Sequence, residues 1–142
     1  MTGITRYRAA QVLADYFGTE VQHDGSYYDA YSASDQEERR WKVMYDGSIN
    51  CQRREDGHKV SAGRDYSVEL VSPICRYEDI PDLQEIIRKM REAGAFCNDS
   101  VGIHIHVNAA PFDAPHLRNL VNIVASKEDM IYRALQVNRG RN

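Results

Sequence analysis

Hydrophobic residues recur at two different spacings along the chain, and these spacings divide it into predicted helices and strands. A spacing of three to four residues places apolar side chains on one face of a helix. Strict alternation places apolar and polar side chains on opposite faces of a strand. The predicted helices cover residues 4–17, 81–93, 113–124 and 126–137. The predicted strands cover residues 19–23, 26–31, 40–45, 66–73 and 101–108.

Turn and capping residues lie at the ends of several of these elements. Gly18 is placed to end the first helix in the left-handed conformation, and Pro81 suits the first turn of the second helix. The dipeptide Asp24-Gly25 is favoured in tight hairpin turns, so it is predicted to join the first two strands. Ser126 and Asp129 resemble a capping box and predict that the last helix starts there.

Two polar stretches are predicted to be exposed connections. Residues 32–39 are rich in charge and serine, and residues 52–65 are rich in charge and glycine. The second stretch is predicted to be a solvated hairpin end, and contact of its basic side chains with a phosphate is left open. The triplet Asp46-Gly47-Ser48 follows a predicted strand and is a turn signal. Asp46 is therefore either a turn residue or a functional carboxylate.

Together these elements predict an α+β fold. Strands with one apolar and one polar face, alternating with helices that carry a single apolar stripe, are typical of helices packed on one face of a mainly antiparallel sheet. In the predicted strand 66–73, Leu70 belongs to the apolar face and Glu69 points the other way. We therefore expect Glu69, His104 and His106 to line one cleft, on the sheet face opposite the helices.

The predicted strand 101–108 has an unusual polar face. Alternation places its four β-branched residues on one face, and it places Gly102, His104, His106 and Asn108 on the other. Two imidazoles two positions apart lie roughly 6.5–7 Å from each other along a strand, close enough to serve one metal cluster or one bound anion. The alternative is a half-buried strand whose polar face is only solvated.

Length, charge and composition restrict the class of protein. A chain of 142 residues is long enough for a single domain with a core of its own. The net charge of −3 provides no broad basic face for nucleic acid or an anionic membrane. No apolar run approaches the ~20 residues of a membrane helix. With no secretion signal at its N-terminus, the protein is expected in the cytoplasm, where Cys51, Cys75 and Cys97 would be free thiols.

Three short segments occur in a characteristic order along the chain. They are Trp41-x-x-x-x-Asp46-Gly47-Ser48-Ile49, then Glu69-Leu70-Val71-Ser72-Pro73, then Gly102-x-His104-x-His106-x-Asn108. Together they resemble the putative amidoligase family, a branch of the glutamine synthetase and glutamate–cysteine ligase superfamily of carboxylate–amine ligases. The resemblance implies a curved, mainly antiparallel sheet of the glutamine synthetase-like type, whose concave face holds ATP and two or more divalent metal ions.

By this resemblance, the expected reaction is the ATP-dependent ligation of a small-molecule or peptide carboxylate to an amine through an acyl phosphate. Mg²⁺ or Mn²⁺ would neutralise the phosphate charge, and such hard cations prefer carboxylate oxygens. The implied site residues are Glu69 and His104 as metal ligands, His106 and Asp46 as catalytic residues, and Ser72, Asn108 and Arg139 as weaker candidates for cofactor binding.

The chain departs from the family pattern at both ends. In the family, a strand with two glutamates two positions apart precedes a helix like residues 4–17, and the sequence continues well beyond the last helices. Residues 1–142 are therefore expected to be the central part of a longer catalytic domain, and not a competent ligase alone. The open edges of the sheet are expected to favour a homodimer.

Two other functions remain open on the sequence. One is a truncated or degenerate relative that acts as a non-catalytic binding or interaction module. The other is a zinc hydrolase, in which His104 and His106 would need a third ligand and an open position for water. Tightly retained zinc would favour the hydrolase, and Mg²⁺-dependent nucleotide binding would favour the ligase.

Overall fold

The computed structural model describes residues 1–136, which form two compact units of residues 1–101 and 102–136. The helices of the first unit are α1 (Arg6–Phe17) and α2 (Ile80–Glu92). Its strands are β1 (Gln22–Gly25), β2 (Ala30–Ser34), β3 (Arg40–Met44), β4 (Gln52–Glu55), β5 (His58–Ser61) and β6 (Glu69–Val71). The second unit contains one long helix, α3 (Ala114–Leu135).

The strands of the first unit form an antiparallel sheet and a separate hairpin. The sheet has the order β1-β2-β3-β6, with every neighbouring pair antiparallel, and β4 pairs with β5 in the hairpin. Two adjacent residues with positive φ, Asp56 at 49° and Gly57 at 82°, make the hairpin turn. Helices combined with a mainly antiparallel sheet confirm the α+β class predicted from the sequence.

The core of the first unit lies between the sheet and α1. Trp41 and Val43 alternate along β3 and are fully buried. Phe17 of α1 packs against the Trp41 ring at a centroid distance of 5.5 Å, and Ile86 and Met90 of α2 belong to the same cluster. Full burial of such a side chain contributes about 1.5–3 kcal/mol. Packing on this cluster therefore stabilises the two helices more than their local propensities do.

The helices of the first unit begin and end close to the residues that the sequence predicted. The hydroxyl of Thr5 caps α1 by accepting a hydrogen bond from the Arg8 amide, and Gly18 ends the helix with a φ of 68°. Pro81 lies in the first turn of α2, and Gly94, with a φ of 106°, follows its end. Local capping chemistry is sufficient to place these boundaries.

A buried carboxylate connects the β2–β3 loop to the start of α2. Asp35 accepts hydrogen bonds from Trp41 Nε1 at 3.0 Å and from Arg39 Nε at 2.8 Å, and Arg39 also binds both carboxylate oxygens of Asp79. Burial raises the pKa of Asp35, but the hydrogen bonds that it accepts outweigh burial and hold this pKa below its usual value. The predicted exposed connection at residues 32–39 is confirmed for the exposed residues 36–38, and it is wrong for residues 32–34, which belong to β2, and for Asp35, which is buried with its partners.

A buried arginine connects α1 to two other segments. Arg6 is only 3% exposed. Its guanidinium donates to the carbonyl oxygens of Arg64 at 2.6 Å and of Ser67 at 3.1 Å. It also donates to the carbonyl oxygen of Asp29 at 3.1 Å and pairs with the Asp29 carboxylate. The start of α1 is therefore fixed to the β1–β2 turn and to the segment before β6.

The turn between β1 and β2 lies later than the sequence predicted. Asp24-Gly25 belongs to β1, and residues 26–29 form the turn, with the Asp29 amide donating to the Ser26 carbonyl at 3.1 Å. Ser26 and Asp29 adopt positive φ values of 78° and 44°. The contacts of Arg6 hold Asp29 in this conformation. A tertiary interaction thus overrides the local preference of the Asp-Gly dipeptide.

The two helices predicted at the C-terminus form one continuous helix. No Gly or Pro separates the two predicted ranges, and the Ser126 hydroxyl donates to the Ile123 carbonyl at 3.1 Å instead of capping a new helix. The apolar residues predicted to be buried in this region are exposed, namely Leu117, Leu120, Val121 and Val124. Among residues 1–136, no helix is both long enough and apolar enough to cross a membrane.

The predicted strand 101–108 is not a strand in the structure. Within the described part of the chain, these residues pair with no other segment. The residues predicted to form its core face, Ile103, Ile105 and Val107, are 90%, 83% and 71% exposed. A strand needs a neighbouring strand for its backbone hydrogen bonds, and alternation of side chains does not supply one.

Acid should weaken the network around Asp35. Arg39 lowers the pKa of Asp79 to about 2, and the pKa of Asp35 is also lowered. Both groups therefore hold fewer protons in the folded protein than in the unfolded chain, so their contribution is complete above about pH 4 and is lost as the pH falls towards about 2. The free energy of unfolding in urea should decrease over this pH range, and the decrease should be smaller in Arg39→Gln.

Arg40→Gln is the matched control for this experiment. The Arg40 side chain is 53% exposed and pairs with Asp24, away from Asp35 and Asp79. Its variant should therefore keep the wild-type pH dependence. The same pH dependence in Arg39→Gln and in the wild type would contradict the assignment of acid sensitivity to this network.

Candidate carboxylate site

Glu69 begins β6, the strand at one end of the sheet order. The register pairs Glu69 with Met44 and pairs Leu70 with the buried Val43, so Glu69 and Val43 lie on opposite faces of the sheet. Val68, one residue earlier in the chain, is fully buried in the core. The alternation along this segment therefore turns the Glu69 carboxylate away from the face on which the helices pack.

Asp46 lies in a tight turn after β3. Its Oδ1 accepts a hydrogen bond from the Ser48 amide at 2.8 Å, and its carbonyl accepts one from the Ile49 amide at 3.3 Å. The Ser67 hydroxyl accepts from the Asp46 amide at 3.0 Å and donates to the Asp46 carbonyl at 2.7 Å. Asp46 is therefore a turn residue, and its main chain is also bound to the segment that leads into Glu69.

The first residues of the chain pair with segments on both sides. The Met1 amino group donates to the Val68 carbonyl at 2.6 Å, and the Val68 amide donates to the Met1 carbonyl at 3.0 Å. Thr2 exchanges the equivalent two bonds with Phe96, at 2.9 and 2.8 Å. The Thr2 hydroxyl also bonds to both the amide and the carbonyl of Gln52. Met1 and Thr2 thus form their backbone bonds to neighbours on opposite sides, as successive residues of an antiparallel strand between two others do.

The segments that carry Asp46 and Glu69 are bound to each other. The Ser67 hydroxyl binds the Asp46 main chain, and Ser67 lies two residues before Glu69. The β3–β6 register also pairs Glu69 with Met44, two residues before Asp46. The structure therefore brings together the main-chain segments of these two residues of the predicted site.

The chemistry of this carboxylate pair fits a hard divalent cation. Mg²⁺ takes oxygen ligands, keeps several waters, and is commonly held by one or two carboxylates together with substrate phosphates. In residues 1–136, no set of three or more His, Cys, Asp and Glu side chains is arranged to hold a metal ion.

Three other predicted site residues lie in the second unit. His104 and His106 are exposed, in the irregular segment that precedes α3. The Oδ1 of Asn108 accepts a hydrogen bond from the Ala110 amide at 3.0 Å, which is a local turn contact. A common cleft of the two histidines with Glu69 stays a prediction.

The two further candidates for cofactor binding are Ser72 and Arg139. Ser72 is exposed and directly follows the last residue of β6. Arg139 lies outside the described residues 1–136. The roles assigned to both residues stay predictions.

The sequence prediction missed two buried polar residues that organise this site. Ser67 is fully buried, and Arg6 is nearly so. A signal for Arg6 was present, since Arg6 shares helical spacing with apolar residues that are also buried, namely Ala9, Ala10 and Leu13. A charged residue on an apolar stripe indicates a buried partner. Ser67 carried no comparable signal, because a serine on the polar side of a strand is ordinary.

The protein has an α+β fold, in which strand β6 of an antiparallel sheet carries Glu69 and the turn after β3 carries Asp46. Residues 1–142 match the sequence model of a family described as putative amidoligase enzyme. The chain therefore belongs to the putative amidoligase family, as its motifs indicated. No curated protein and no solved structure matches the chain.

Substitutions at Asp46 should separate its role in the turn from the role of its charge. Asp46→Asn keeps the oxygen that accepts from the Ser48 amide, so its free energy of unfolding in urea should stay within about 0.5 kcal/mol of the wild type. Asp46→Ala removes that acceptor and should cost about 1 kcal/mol.

Ser48→Ala is the control for the Asp46 variants, because it keeps the amide that bonds to Asp46 and removes only an exposed hydroxyl. Its stability should equal that of the wild type. Equal losses in Asp46→Asn and Asp46→Ala would show that the charge, and not the turn contact, determines the stability here.

Proposed function

We propose that this protein catalyses the ATP-dependent ligation of a carboxylate to an amine, assisted by a divalent cation and proceeding through an acyl phosphate. Membership of the family supports a ligase-like activity. The observation that carries the finer proposal is the pair of hydrogen bonds by which Ser67, two residues before Glu69, holds the main chain of Asp46. Carboxylates held by separate segments create a negative site before any ligand binds, and such preorganisation is what charge stabilisation requires.

The proposed reaction needs positioning and charge neutralisation more than a protein nucleophile. An oxygen of the substrate carboxylate attacks the γ-phosphorus of ATP, the bond to the bridging oxygen breaks, and ADP leaves. The amine nitrogen then attacks the acyl carbon and loses a proton, and inorganic phosphate leaves as the C–N bond forms. When bound, Mg²⁺ or Mn²⁺ would neutralise charge on the phosphate oxygens during the first transfer.

Glu69 and Asp46 have different structural support for their proposed roles. Glu69 is proposed as a metal ligand, held by the β3–β6 register on the sheet face away from the helices. Asp46 is proposed as the acidic residue that serves the metal or the substrate, with its Oδ1 oriented by the Ser48 amide. A small number of carboxylates is sufficient for Mg²⁺, because phosphate and water complete its octahedral coordination.

The other residues of the proposed site are assigned through the family resemblance. His104 is proposed as a nitrogen ligand of the metal, and His106 as a group that contacts the substrate or the phosphate being transferred. Ser72, Asn108 and Arg139 are proposed to bind the cofactor, since a hydroxyl, an amide and a guanidinium all donate hydrogen bonds to phosphate oxygens.

The substrates, cellular location and sheet type are part of the same proposal. The proposed substrates are a small-molecule or peptide carboxylate and an amine. The proposed location is the cytoplasm, and the proposed sheet is curved and of the glutamine synthetase-like type. β1 lies at the end of the sheet order, opposite β6. The outer backbone groups of such an edge can pair with another strand, which supports the proposed homodimer through sheet edges.

Removal of the Glu69 carboxylate should abolish metal-dependent ATP turnover in the intact native protein. Glu69→Gln and Glu69→Ala each lose a charged oxygen ligand, so the dissociation constant of Mn²⁺·ATP, measured by calorimetry, should rise by more than about tenfold. Release of ADP with a panel of amines should fall to the background rate. His106→Ala should reduce ADP release more than it weakens nucleotide binding.

Glu92→Gln is the matched control, because Glu92 is an exposed carboxylate at the end of α2. It should bind Mn²⁺·ATP as the wild type does. Full ADP release by Glu69→Ala would overturn the metal assignment. Zinc that survives dialysis, without Mn²⁺·ATP binding, would favour the hydrolase instead, and binding of neither would favour the non-catalytic interaction module.

A further inference from the structure

Ser67 directly connects the two segments that carry the proposed carboxylates. It is fully buried and lies two residues before Glu69. Its hydroxyl accepts a hydrogen bond from the Asp46 amide at 3.0 Å and donates one to the Asp46 carbonyl at 2.7 Å. One side chain thus binds both main-chain polar groups of Asp46.

The sheet register explains why a side chain is needed at this position. β3 pairs with β6 through Lys42–Val71, Val43–Leu70 and Met44–Glu69. Continued by two residues, the same register places Asp46 opposite Ser67. β3 ends at Met44, however, so the ladder stops before this pair is reached. The Ser67 hydroxyl supplies the two bonds that a ladder pair would otherwise exchange.

The backbone of Ser67 is bound to two other residues, which restricts its movement. Its amide donates to the Arg64 carbonyl at 3.1 Å, and its carbonyl accepts from the buried guanidinium of Arg6 at 3.1 Å. The main chain of Ser67 therefore has little freedom to move towards or away from Asp46. A residue held on both sides in this way can impose its position on its partner.

We infer that Ser67 is a positioning residue for the Asp46–Glu69 pair, an inference that rests on the proposed function of that pair. Its hydroxyl holds the main chain of Asp46 against the segment that continues into Glu69. The distance between the main chains of Asp46 and Glu69 is then set by two residues of chain and one pair of hydrogen bonds. Ser67 acts on the site only through Asp46 and Glu69.

Ser67→Ala removes the hydroxyl and leaves the rest of the residue in place. The Asp46 amide and carbonyl lose these two bonds, so Asp46 should sample positions in which the two carboxylates no longer act on one cation. Loss of such an orienting contact typically weakens metal affinity by 10–100-fold. In the intact native protein, we therefore expect the dissociation constant of Mn²⁺·ATP to rise by about tenfold or more in Ser67→Ala.

Ser32→Ala separates positioning from a general loss of stability. Ser32 is a buried serine of β2, 1% exposed, and its hydroxyl donates to Asp24 of β1 at 3.0 Å. Both serine variants lose a buried hydroxyl and should unfold at lower temperature than the wild type. Only Ser67→Ala should raise the dissociation constant of Mn²⁺·ATP.

Hydrogen exchange tests the contact between Ser67 and Asp46 already in the wild-type protein. In the wild-type protein the Asp46 amide should exchange more slowly than the amide of the neighbouring, exposed Gly47, because Ser67 accepts its hydrogen bond. In Ser67→Ala, the protection of Asp46 should be lost, while the amide of the buried Val43 stays protected. An Asp46 amide that exchanges as fast as Gly47 in the wild type would overturn the inference, even if Ser67→Ala does not fold.

Binding of Mn²⁺·ATP to Asp46→Asn and Glu69→Gln distinguishes a failure of the positioning role from a failure of the proposed function. Weak Mn²⁺·ATP binding in both of these variants, with wild-type binding in Ser67→Ala, would overturn the positioning role and leave the proposed function intact. Wild-type binding in both Asp46→Asn and Glu69→Gln would overturn the metal role of the pair, and the positioning role with it. Weak binding in all three, with normal binding in Ser32→Ala, supports the inference.

Discussion

The buried guanidinium of Arg6 is the interaction on which the first unit depends. A charge taken out of water costs several kcal/mol unless it is paired and hydrogen-bonded. Here the Asp29 carboxylate supplies the opposite charge, and the carbonyls of Asp29, Arg64 and Ser67 accept the remaining bonds. The hydrogen bond from Arg6 lowers the pKa of Asp29 in spite of burial, so the pair stays ionised at neutral pH. One side chain from α1 thereby fixes a turn and the segment before β6.

The site inherits its geometry from the sheet that Arg6 holds in place. The β3–β6 register determines which face Glu69 occupies, and its continuation brings Asp46 opposite Ser67. Sites built on paired strands are more precise than sites built on loops, because each residue is located by several backbone bonds. The Asp46 turn gains similar precision through the Ser67 hydroxyl. Arg6 therefore supports the carboxylate pair through the carbonyl of Ser67.

Local sequence patterns predicted the parts of the fold that depend on local physics. The period of α1, its end at Gly18 and the alternation of Trp41 and Val43 all follow from residues within one element. The turn at residues 26–29 and the buried Asp35 could not be found this way, because their partners lie elsewhere in the chain. Alternation was also insufficient for residues 101–108, since a strand is defined by its neighbour and not by its own side chains. At the site, residue types and motifs indicated Asp46 and Glu69, whereas the contact that joins their segments is visible only in the structure.

The two carboxylates also explain why a rigid connection between their segments is necessary. Like charges held close together repel, and the repulsion is stronger where protein replaces water. The turn bonds of Asp46, to the Ser48 and Ile49 amides, are local and move with the turn. The Ser67 hydroxyl adds a contact to the neighbouring segment, and this contact holds the main chain of Asp46 beside the segment that carries Glu69.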